Sequence, residues 1–224
     1  LRLIVKGKKF GKEDLMKVGD KWVSLYHHGA FSSTDPDECL RRINDRLTKA
    51  TGELRTLDLL VITWGTAWVY RYTRENIVVS NCHKIPSQEF ERSRLSVEDI
   101  VKEYLVLIGR LREINPGLRI LFTVSPIRHW KDGAHGNQLS KATLLLAIDR
   151  LREELQHVYY FPAYEIVLDE LRDYRFYADD MLHMSGFTVD YIWERFLYSF
   201  ISPEVLGLMN QIGRVKNGVA HRPF

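Results

Sequence analysis

Residues 57–64 read LDLLVITW, and this stretch decides the fold class of the chain. It is a nearly continuous run of apolar side chains, several of which are branched. Such runs are typical of parallel strands that are buried on both faces of a sheet. Two further runs, LRILFTV at residues 118–124 and HVYYFPA at residues 157–163, have the same character. The sequence therefore predicts three strands of one buried sheet.

Amphipathic helices are predicted before, between and after these strands. The helix over residues 35–51 has a proline in its first turn. The helix over residues 96–117 begins at Ser96, with Asp99 as a capping partner, and a Pro-Gly pair stops it. Three later helices are predicted over residues 139–156, 164–174 and 185–201, the last of them capped by Ser185.

Strands that alternate with helices indicate a parallel sheet with helices on both faces. We therefore predict an α/β fold, a three-layer α/β/α domain with a mainly parallel, flavodoxin-like sheet. A β-hairpin insertion is predicted over residues 67–83. The α/β domain is expected to cover residues 1–202, followed by a C-terminal helix and basic tail over residues 203–224. Within that tail, residues 213–224 are expected to be loosely held.

Shorter segments fill the rest of the chain. Residues 1–7 are interpreted as the last turns of a helix that Gly7 closes. Residues 12–18 are predicted as a short helix, and residues 21–31 as a strand that leads into a loop. Residues 125–138 are predicted as a polar loop.

The composition limits the partners of this protein. The chain has 45% hydrophobic and 27% charged residues with a net charge of +3, and its basic residues are interleaved with acidic ones. This pattern predicts no nucleic-acid partner. No apolar run approaches the roughly 18 residues of a membrane helix, so no membrane partner is predicted. The two cysteines, Cys39 and Cys82, are too few for a disulfide framework.

The beginning of the chain suggests a fragment. It starts at Leu1 rather than Met and runs at once into a helix end, so we expect a preceding segment. No signal peptide is recognised, which favours the cytoplasm. Because a preceding segment is expected, the compartment stays open. The oligomeric state is also open.

Candidate chemistry lies in three loops, because ligands of such sheets bind beyond the carboxyl ends of the strands. These loops follow Trp64, Val124 and the third strand. The third leads to Asp180-x-x-His183, in which the aspartate could orient the histidine as a general base. The alternative is that Asp180 only caps a turn and His183 lies on the surface. The chain holds a second copy of the motif, from Asp132 to His135.

The other two loops offer binding groups. Gly65 and Thr66 bring backbone close to a ligand, and a glycine N–H can face an oxyanion, although a simple turn would also explain the glycine. After the second strand, Arg128 could hold a carboxylate or a phosphate through two hydrogen bonds. Most of that loop could equally be a solvated surface. Ser125 is a poor nucleophile candidate because it precedes Pro126 and lacks a Gly-x-Ser-x-Gly turn.

Histidines also raise the question of a metal. His27, His28 and His83, the last beside Asn81, lack the spacing of metal ligands, so we predict hydrogen-bonded loop histidines and no metal site or cofactor. Cys82 and His83 are neighbours in an expected strand. Their side chains would therefore point to opposite faces, which argues against a Cys-His pair.

Four segments together resemble the GSCFA family of bacterial proteins, which is related to the SGNH/GDSL hydrolases. The resemblance covers most of the chain, to about residue 197. The segments are LDLLVITWGTAWVY (57–70), VVSNCHK (78–84), FTVSPIRHWKDGAHGNQLSKATL (122–144) and YYFPAYEIVLDELRDYRFYADDMLHMS (159–185). The family is named for a Gly-Ser-Cys-Phe-Ala segment whose serine is the expected nucleophile. This sequence does not contain that segment.

The resemblance implies roles for several residues. Asp180 and His183 match the Asp-x-x-His block of the hydrolases, although Met184 stands where a proline is common. Gly65 matches the glycine of their Gly-x-Asn-Asp block, and Ala67 replaces the asparagine that helps to form the oxyanion hole. Asn81 or His83 is a candidate substitute for that donor if the hairpin folds back over the site. The residues expected to contact the oxyanion or the substrate are Gly65, Thr66, Asn81, Trp64, His83, Arg128, His129 and Asn137.

The resemblance therefore implies a serine ester hydrolase that acts on a small-molecule or carbohydrate ester, with its nucleophile upstream of Leu1. The chain as given would be inactive. One alternative is a non-catalytic domain that binds carbohydrate or cell-wall fragments, which the loss of the oxyanion asparagine favours. Another is a metal-dependent phosphoesterase that uses His27, His28, His83 and His135.

Overall fold

The computed structural model describes residues 1–220, which form a mixed α/β protein. The strands in chain order are β1 (Met16–Val18), β2 (Lys21–Val23), β3 (Leu59–Trp64), β4 (Trp68–Tyr72), β5 (Ile77–Val79), β6 (Phe90–Arg94), β7 (Arg119–Val124) and β8 (Val158–Phe161). The helices are α1 (Arg2–Val5), α2 (Pro36–Leu54), α3 (Val97–Ile114), α4 (Gly133–Glu154), α5 (Ala163–Glu165), α6 (Gly186–Phe200) and α7 (Pro203–Ala220). A π-helix, Ile166–Leu171, continues α5.

The chain divides into two compact units. The first comprises Leu1–Val124 and His129–Tyr160, and the second comprises Ser125–Arg128 and the chain from Phe161 onward. The domain boundary predicted after residue 202 lies inside the second unit and stays a prediction.

A parallel three-stranded sheet, in the order β3-β7-β8, is flanked by helices, as the predicted three-layer α/β/α fold requires. β3 and β7 are paired from Leu59 opposite Arg119 to Trp64 opposite Val124. In the first unit, α4 packs against both β7 and α3. The predicted fold class is confirmed.

The two long strands of this sheet differ in burial. Every residue of β7 after Arg119 is buried, because β7 is the central strand. β3 is an edge strand, and Val61 is 48% exposed. The expectation that both strands are buried on both faces is therefore right for β7 and wrong for β3.

A second sheet contains the predicted hairpin. β4 and β5 pair antiparallel around a turn in which Asn76 has a positive φ of 53°. β6, a strand not predicted from the sequence, pairs with the other edge of β4. Its sequence, FERSR, has charged residues on both faces and thus lacks the alternation by which a half-buried strand is recognised.

Several helix starts and ends follow the predicted signals. Asp35 caps α2, Ser96 and Asp99 form a capping box at α3, and Ser185 caps α6. α1 is followed by Gly7 with a φ of 61°, as the predicted helix end requires. Among the described residues, no helix combines the length and the apolar character that spanning a bilayer would need.

The short helix predicted over residues 12–18 is wrong for most of its length. Only Lys12–Asp14 form a 3₁₀ turn, and Met16–Val18 form β1. β1 pairs with β2, and the connection is the two residues Gly19 and Asp20, with Gly19 at a φ of 61°. A two-residue turn with a left-handed glycine favours a hairpin over a helix.

Three later predictions are also corrected. The polar loop predicted to end at residue 138 is shorter, because α4 begins at Gly133. The helix predicted over residues 164–174 becomes a π-helix, and its last backbone bond joins Arg172 N–H to the Val167 carbonyl five residues back. α7 continues to Ala220, so residues 213–220 are helical rather than irregular, while their loose attachment stays a prediction and residues 221–224 lie outside the described part.

Candidate active site

A closed loop in the second unit carries Asp180 and His183. Its base is fastened by two backbone hydrogen bonds, from Ala178 N–H to the His183 carbonyl at 2.8 Å and from Ser185 N–H to the Phe176 carbonyl at 3.0 Å. Tyr177 and Met184 form a β-bridge at the same place. Because Ser185 also caps α6, the start of that helix fixes the end of the loop.

Both carboxylate oxygens of Asp180 are occupied within this loop. Oδ1 accepts the backbone N–H groups of Leu182 and His183, each at 2.9 Å. Oδ2 lies 2.5 Å from His183 Nδ1. Met181 takes a left-handed conformation, with a φ of 57°, and this lets the chain turn tightly between the two residues.

The electrostatics of the pair follow from these bonds. Hydrogen bonding from the His183 ring, with the backbone N–H groups of His183 and Leu182, lowers the pKa of Asp180 from 3.8 to about 2. A carboxylate that occupies Nδ1 leaves Nε2 as the ring atom that can accept a proton from a nucleophile. The His183 side chain is 63% exposed, so the imidazole is accessible to a substrate. The catalytic role of the pair stays a prediction.

The turn after β3, in the first unit, is held by two neighbouring residues of α4. Lys141 Nζ donates to the Gly65 carbonyl at 2.6 Å. Ser140 Oγ accepts the Ala67 N–H at 2.8 Å and lies 3.0 Å from Thr66 Oγ1. Since Lys141 is 1% exposed, its charge is withdrawn from solvent, and burial lowers the pKa of its ammonium group to about 8.

This arrangement determines the direction of one peptide group. In a trans peptide the carbonyl of Gly65 and the N–H of Thr66 lie in one plane and point in opposite directions. The carbonyl points to Lys141, so the Thr66 N–H points away from Lys141. A fixed backbone N–H of this kind is the usual donor to a developing oxyanion.

Other predicted site residues lie around this turn. A Cβ atom added to Gly65 would lie 3.7 Å from His129 Nε2, so the imidazole of His129 faces the turn. Asn137 is buried, and its Oδ1 accepts the His129 N–H at 3.1 Å. Trp64 is only 8% exposed and donates from Nε1 to the Tyr104 hydroxyl at 2.9 Å, so its ring packs in the core rather than on an open surface.

Asn81 and His83 form hydrogen bonds in another part of the first unit. Asn81 N–H donates to the Leu25 carbonyl, and Asn81 Oδ1 accepts the His83 N–H at 2.9 Å. His83 Nε2 lies 2.8 Å from the Ser24 carbonyl. These bonds tie the end of the β4–β5 hairpin to residues 24–25, and the oxyanion or substrate role of both residues stays a prediction.

Two further histidines, His27 and His28, have separate local partners. His27 Nδ1 lies 3.0 Å from Ser24 Oγ, and His28 Nδ1 accepts the Ala30 N–H at 3.1 Å. Over residues 1–220, no three His, Cys, Asp or Glu side chains converge as they would around a metal ion. In the second Asp-x-x-His copy, the Asp132 carboxylate forms an ion pair with Arg92.

The buried polar face of α4 was not predicted from the sequence. Asn137, Ser140 and Lys141 share a stripe with four apolar residues that follow at helical spacing, Leu144, Ala147, Ile148 and Leu151. That periodicity was available in the sequence, and extending it back from the apolar residues would have placed all three polar side chains inside.

Comparisons with known proteins give one match. The model of the GSCFA family matches residues 1–196. No curated protein and no solved structure matches the chain.

Proposed function

The chain belongs to the GSCFA family, and we propose that it supplies the histidine base and its orienting aspartate to a serine ester hydrolase. The observation that supports this proposal is the closed loop in which Asp180 Oδ2 lies 2.5 Å from His183 Nδ1 while Oδ1 accepts two backbone N–H groups. A carboxylate that is held by three hydrogen bonds keeps the imidazole in one tautomer and one orientation, which a general base requires.

The nucleophile in this proposal is the serine of the Gly-Ser-Cys-Phe-Ala segment, which residues 1–224 do not include. The serine oxygen attacks the ester carbonyl while its proton moves to His183 Nε2. The alcohol then leaves with that proton, and an acyl-enzyme remains. A water molecule, deprotonated by the same nitrogen, attacks the acyl group and releases the acid and the free serine.

The Gly65–Thr66 turn is the proposed source of backbone donors for the oxyanion. Lys141 holds the Gly65 carbonyl, so the Thr66 N–H keeps one direction, and Ser140 occupies the Ala67 N–H. Donors that are fixed before the reaction need no reorganisation when charge develops. We propose that this fixed turn compensates for the asparagine that Ala67 replaces.

The test uses a chain that contains both these 224 residues and the Gly-Ser-Cys-Phe-Ala segment. His183→Ala and Asp180→Asn are each expected to lower kcat/KM for 4-nitrophenyl acetate by about 10²-fold to 10⁴-fold. His135→Ala is the matched control, because it removes the histidine of the second Asp-x-x-His copy and should leave the rate unchanged. Equal hydrolysis by wild type and His183→Ala would refute the proposal.

A second candidate is a non-catalytic domain that binds carbohydrate. Ala67, which stands at the position of the oxyanion asparagine, is 1% exposed, and its N–H is already occupied by Ser140. This candidate predicts saturable binding of an acylated sugar by a chain that carries the serine segment, with no release of the acyl group.

A further inference from the structure

A cavity of about 120 Å³ lies within the second unit. Its lining includes two arginines, Arg128 and Arg172, one acid, Asp173, the tyrosines Tyr174 and Tyr177, and the buried side chain of Val167. Its volume is somewhat below the roughly 150 Å³ of a cavity that holds one benzene molecule. The space therefore suits a small group of a few heavy atoms.

The guanidinium group of Arg128 is held by aromatic faces and not by an acid. Its central carbon lies 5.6 Å from the centre of the Tyr174 ring and 5.2 Å from that of Tyr177. Among the described residues, no carboxylate forms an ion pair with Arg128. A guanidinium carries five N–H donors and stays charged, so hydrogen bonds to the side chains of Tyr174 and Tyr177 use only part of this set and leave donors for another partner.

The acidic side chains near the cavity are bound to other groups. Asp169 pairs with Arg172 at 2.5 Å. Asp173 Oδ1 accepts the Arg175 N–H at 3.0 Å, where it caps a 3₁₀ turn. Asp173 also lines the cavity, but its Oδ2 lies 3.8 Å from Arg175 Nε, and among the described residues it forms no ion pair with Arg128.

The wall of the cavity has unusual backbone geometry. Val167 lies in the π-helix, and Arg172, which ends that helix, has a left-handed conformation with a φ of 54°. A left-handed conformation is unfavourable for a non-glycine residue, and π-helical turns occur frequently at functional sites. Here these two features place Arg172 and Val167 at the same cavity.

The cavity adjoins the loop of the proposed base. Tyr177 lines the cavity and also forms the β-bridge to Met184 that closes the Asp180–His183 loop. A group bound beside Arg128 would therefore contact the first residue of this loop. Tyr177 is therefore shared by the cavity and by the base of the loop.

We propose that Arg128, Tyr174 and Tyr177 form a subsite for a carboxylate carried by the substrate, so that the favoured substrates are short esters with a free carboxylate. The identification of the ligand as an ester substrate rests on the proposed hydrolase function. The binding of a carboxylate at this subsite does not. A planar carboxylate matches two parallel N–H donors of a guanidinium, and the tyrosine hydroxyls offer further donors. The methyl group of a simple ester carries no charge and no acceptor with which the Arg128 guanidinium could interact.

The subsite is tested first by binding, on the 224-residue chain. Monomethyl succinate is titrated against dimethyl succinate and inorganic phosphate, with the tyrosine ring signals followed by NMR. Saturable shifts with monomethyl succinate alone, weakened tenfold or more in Arg128→Gln and less in Arg128→Lys, support the subsite. Arg214→Gln is the control, because it removes the same charge from an exposed position on α7. Tyrosine signals typical of the folded wild type verify that each variant is folded.

Three binding results would overturn the subsite. These are equal shifts with both succinates, undiminished binding in folded Arg128→Gln, and tighter binding of phosphate than of the carboxylate. The last result would show an anion site of a different specificity.

A second experiment separates this subsite from the hydrolase proposal. In the chain with the serine segment, kcat/KM is compared for 4-nitrophenyl hydrogen glutarate and 4-nitrophenyl butyrate. The subsite predicts a preference of tenfold or more for the carboxylated ester, which Arg128→Gln abolishes. Carboxylate binding without any hydrolysis would refute the hydrolase and leave the subsite intact. Hydrolysis of both esters at equal rates in wild type and variant would refute the subsite alone.

Discussion

Lys141 Nζ donates to the carbonyl oxygen of Gly65 at 2.6 Å, so a buried lysine of α4 binds the backbone at the end of β3. A lysine is rarely buried without a partner, because its desolvation is costly. Here its charge is directed at a peptide carbonyl, and the adjacent Ser140 accepts the Ala67 N–H of the same turn. Two consecutive side chains thus fix three consecutive backbone residues.

We expect Lys141→Met to destabilise the protein by about 1–3 kcal/mol, because it leaves the Gly65 carbonyl without its donor. The free energy of unfolding in urea measures the effect. Lys102→Met, at an exposed position on α3, is the matched control and should unfold like the wild type. Equal stability of the two variants would show that the Lys141 bond contributes nothing to folding.

Lys141 also predicts a pH dependence. Burial lowers the pKa of its ammonium group from 10.5 to about 8 in the folded chain. Between pH 8 and 10.5 the unfolded chain therefore binds more protons, and this residue's contribution to stability rises with pH. Below pH 8 both states are protonated and its contribution is constant. The urea concentration at the unfolding midpoint should therefore increase from pH 7.5 through 9 to 10 in wild type, relative to the same values for Lys141→Met. A constant difference between the two proteins would contradict the lowered pKa.

The carboxyl group of Asp180 should titrate near pH 2. Its hydrogen bond from His183 is the largest cause of the lowered pKa, so His183→Ala should move the midpoint towards 3.8. NMR of the side-chain carboxyl carbon measures both values. In terms of linkage, the contribution of Asp180 is complete above pH 3.8 and is lost as the pH falls through 2. The exposed Asp45 serves as a reference carboxyl group. A midpoint that His183→Ala leaves unchanged would mean that the ring does not bind Asp180 in solution.

The ion pair of Arg92 and Asp132 should be important for folding of the first unit. The Asp132 side chain is 1% exposed, and the guanidinium of Arg92 also stacks on the Trp68 ring at 4.1 Å. Asp132→Ala leaves that guanidinium unpaired, which we expect to cost about 2–3 kcal/mol, somewhat less than for a fully buried pair because Arg92 is 25% exposed.

Thermal unfolding compares this variant with Asp45→Ala, which breaks the exposed pair with Arg41 and should have no measurable effect. Similar melting temperatures for the two variants would contradict the expected importance of the buried pair. The double variant Arg92→Met with Asp132→Leu should recover part of the loss, because it removes both charges together.

The sequence predicted the fold class because its signals are local. Apolar runs such as LRILFTV and capping residues such as Ser96 act within a few positions, and both were confirmed. The exposure of Val61 in β3 was not predictable in this way, since it depends on which strands lie beside β3. The same limit explains the missed strand β6, whose existence depends on pairing with β4.

In the candidate site, too, local contacts could be predicted from the sequence and contacts between distant residues could not. The spacing of Asp180 and His183 sufficed to suggest their contact, because three residues on a tight loop can fold back on themselves. The contact of Lys141 with Gly65 joins residues 76 positions apart, and no local pattern reports such a distance in sequence. The cluster of Arg128 with Tyr174 and Tyr177 is equally non-local.

The exposed side of β3 has a practical consequence for work with this polypeptide in solution. β3 is an edge strand with apolar side chains such as Val61, and its outer edge presents backbone donors and acceptors. A strand of another molecule can form hydrogen bonds with them. Concentrated samples should therefore tend to form intermolecular sheets. Val61→Lys should slow this aggregation, and light scattering during storage would show the difference.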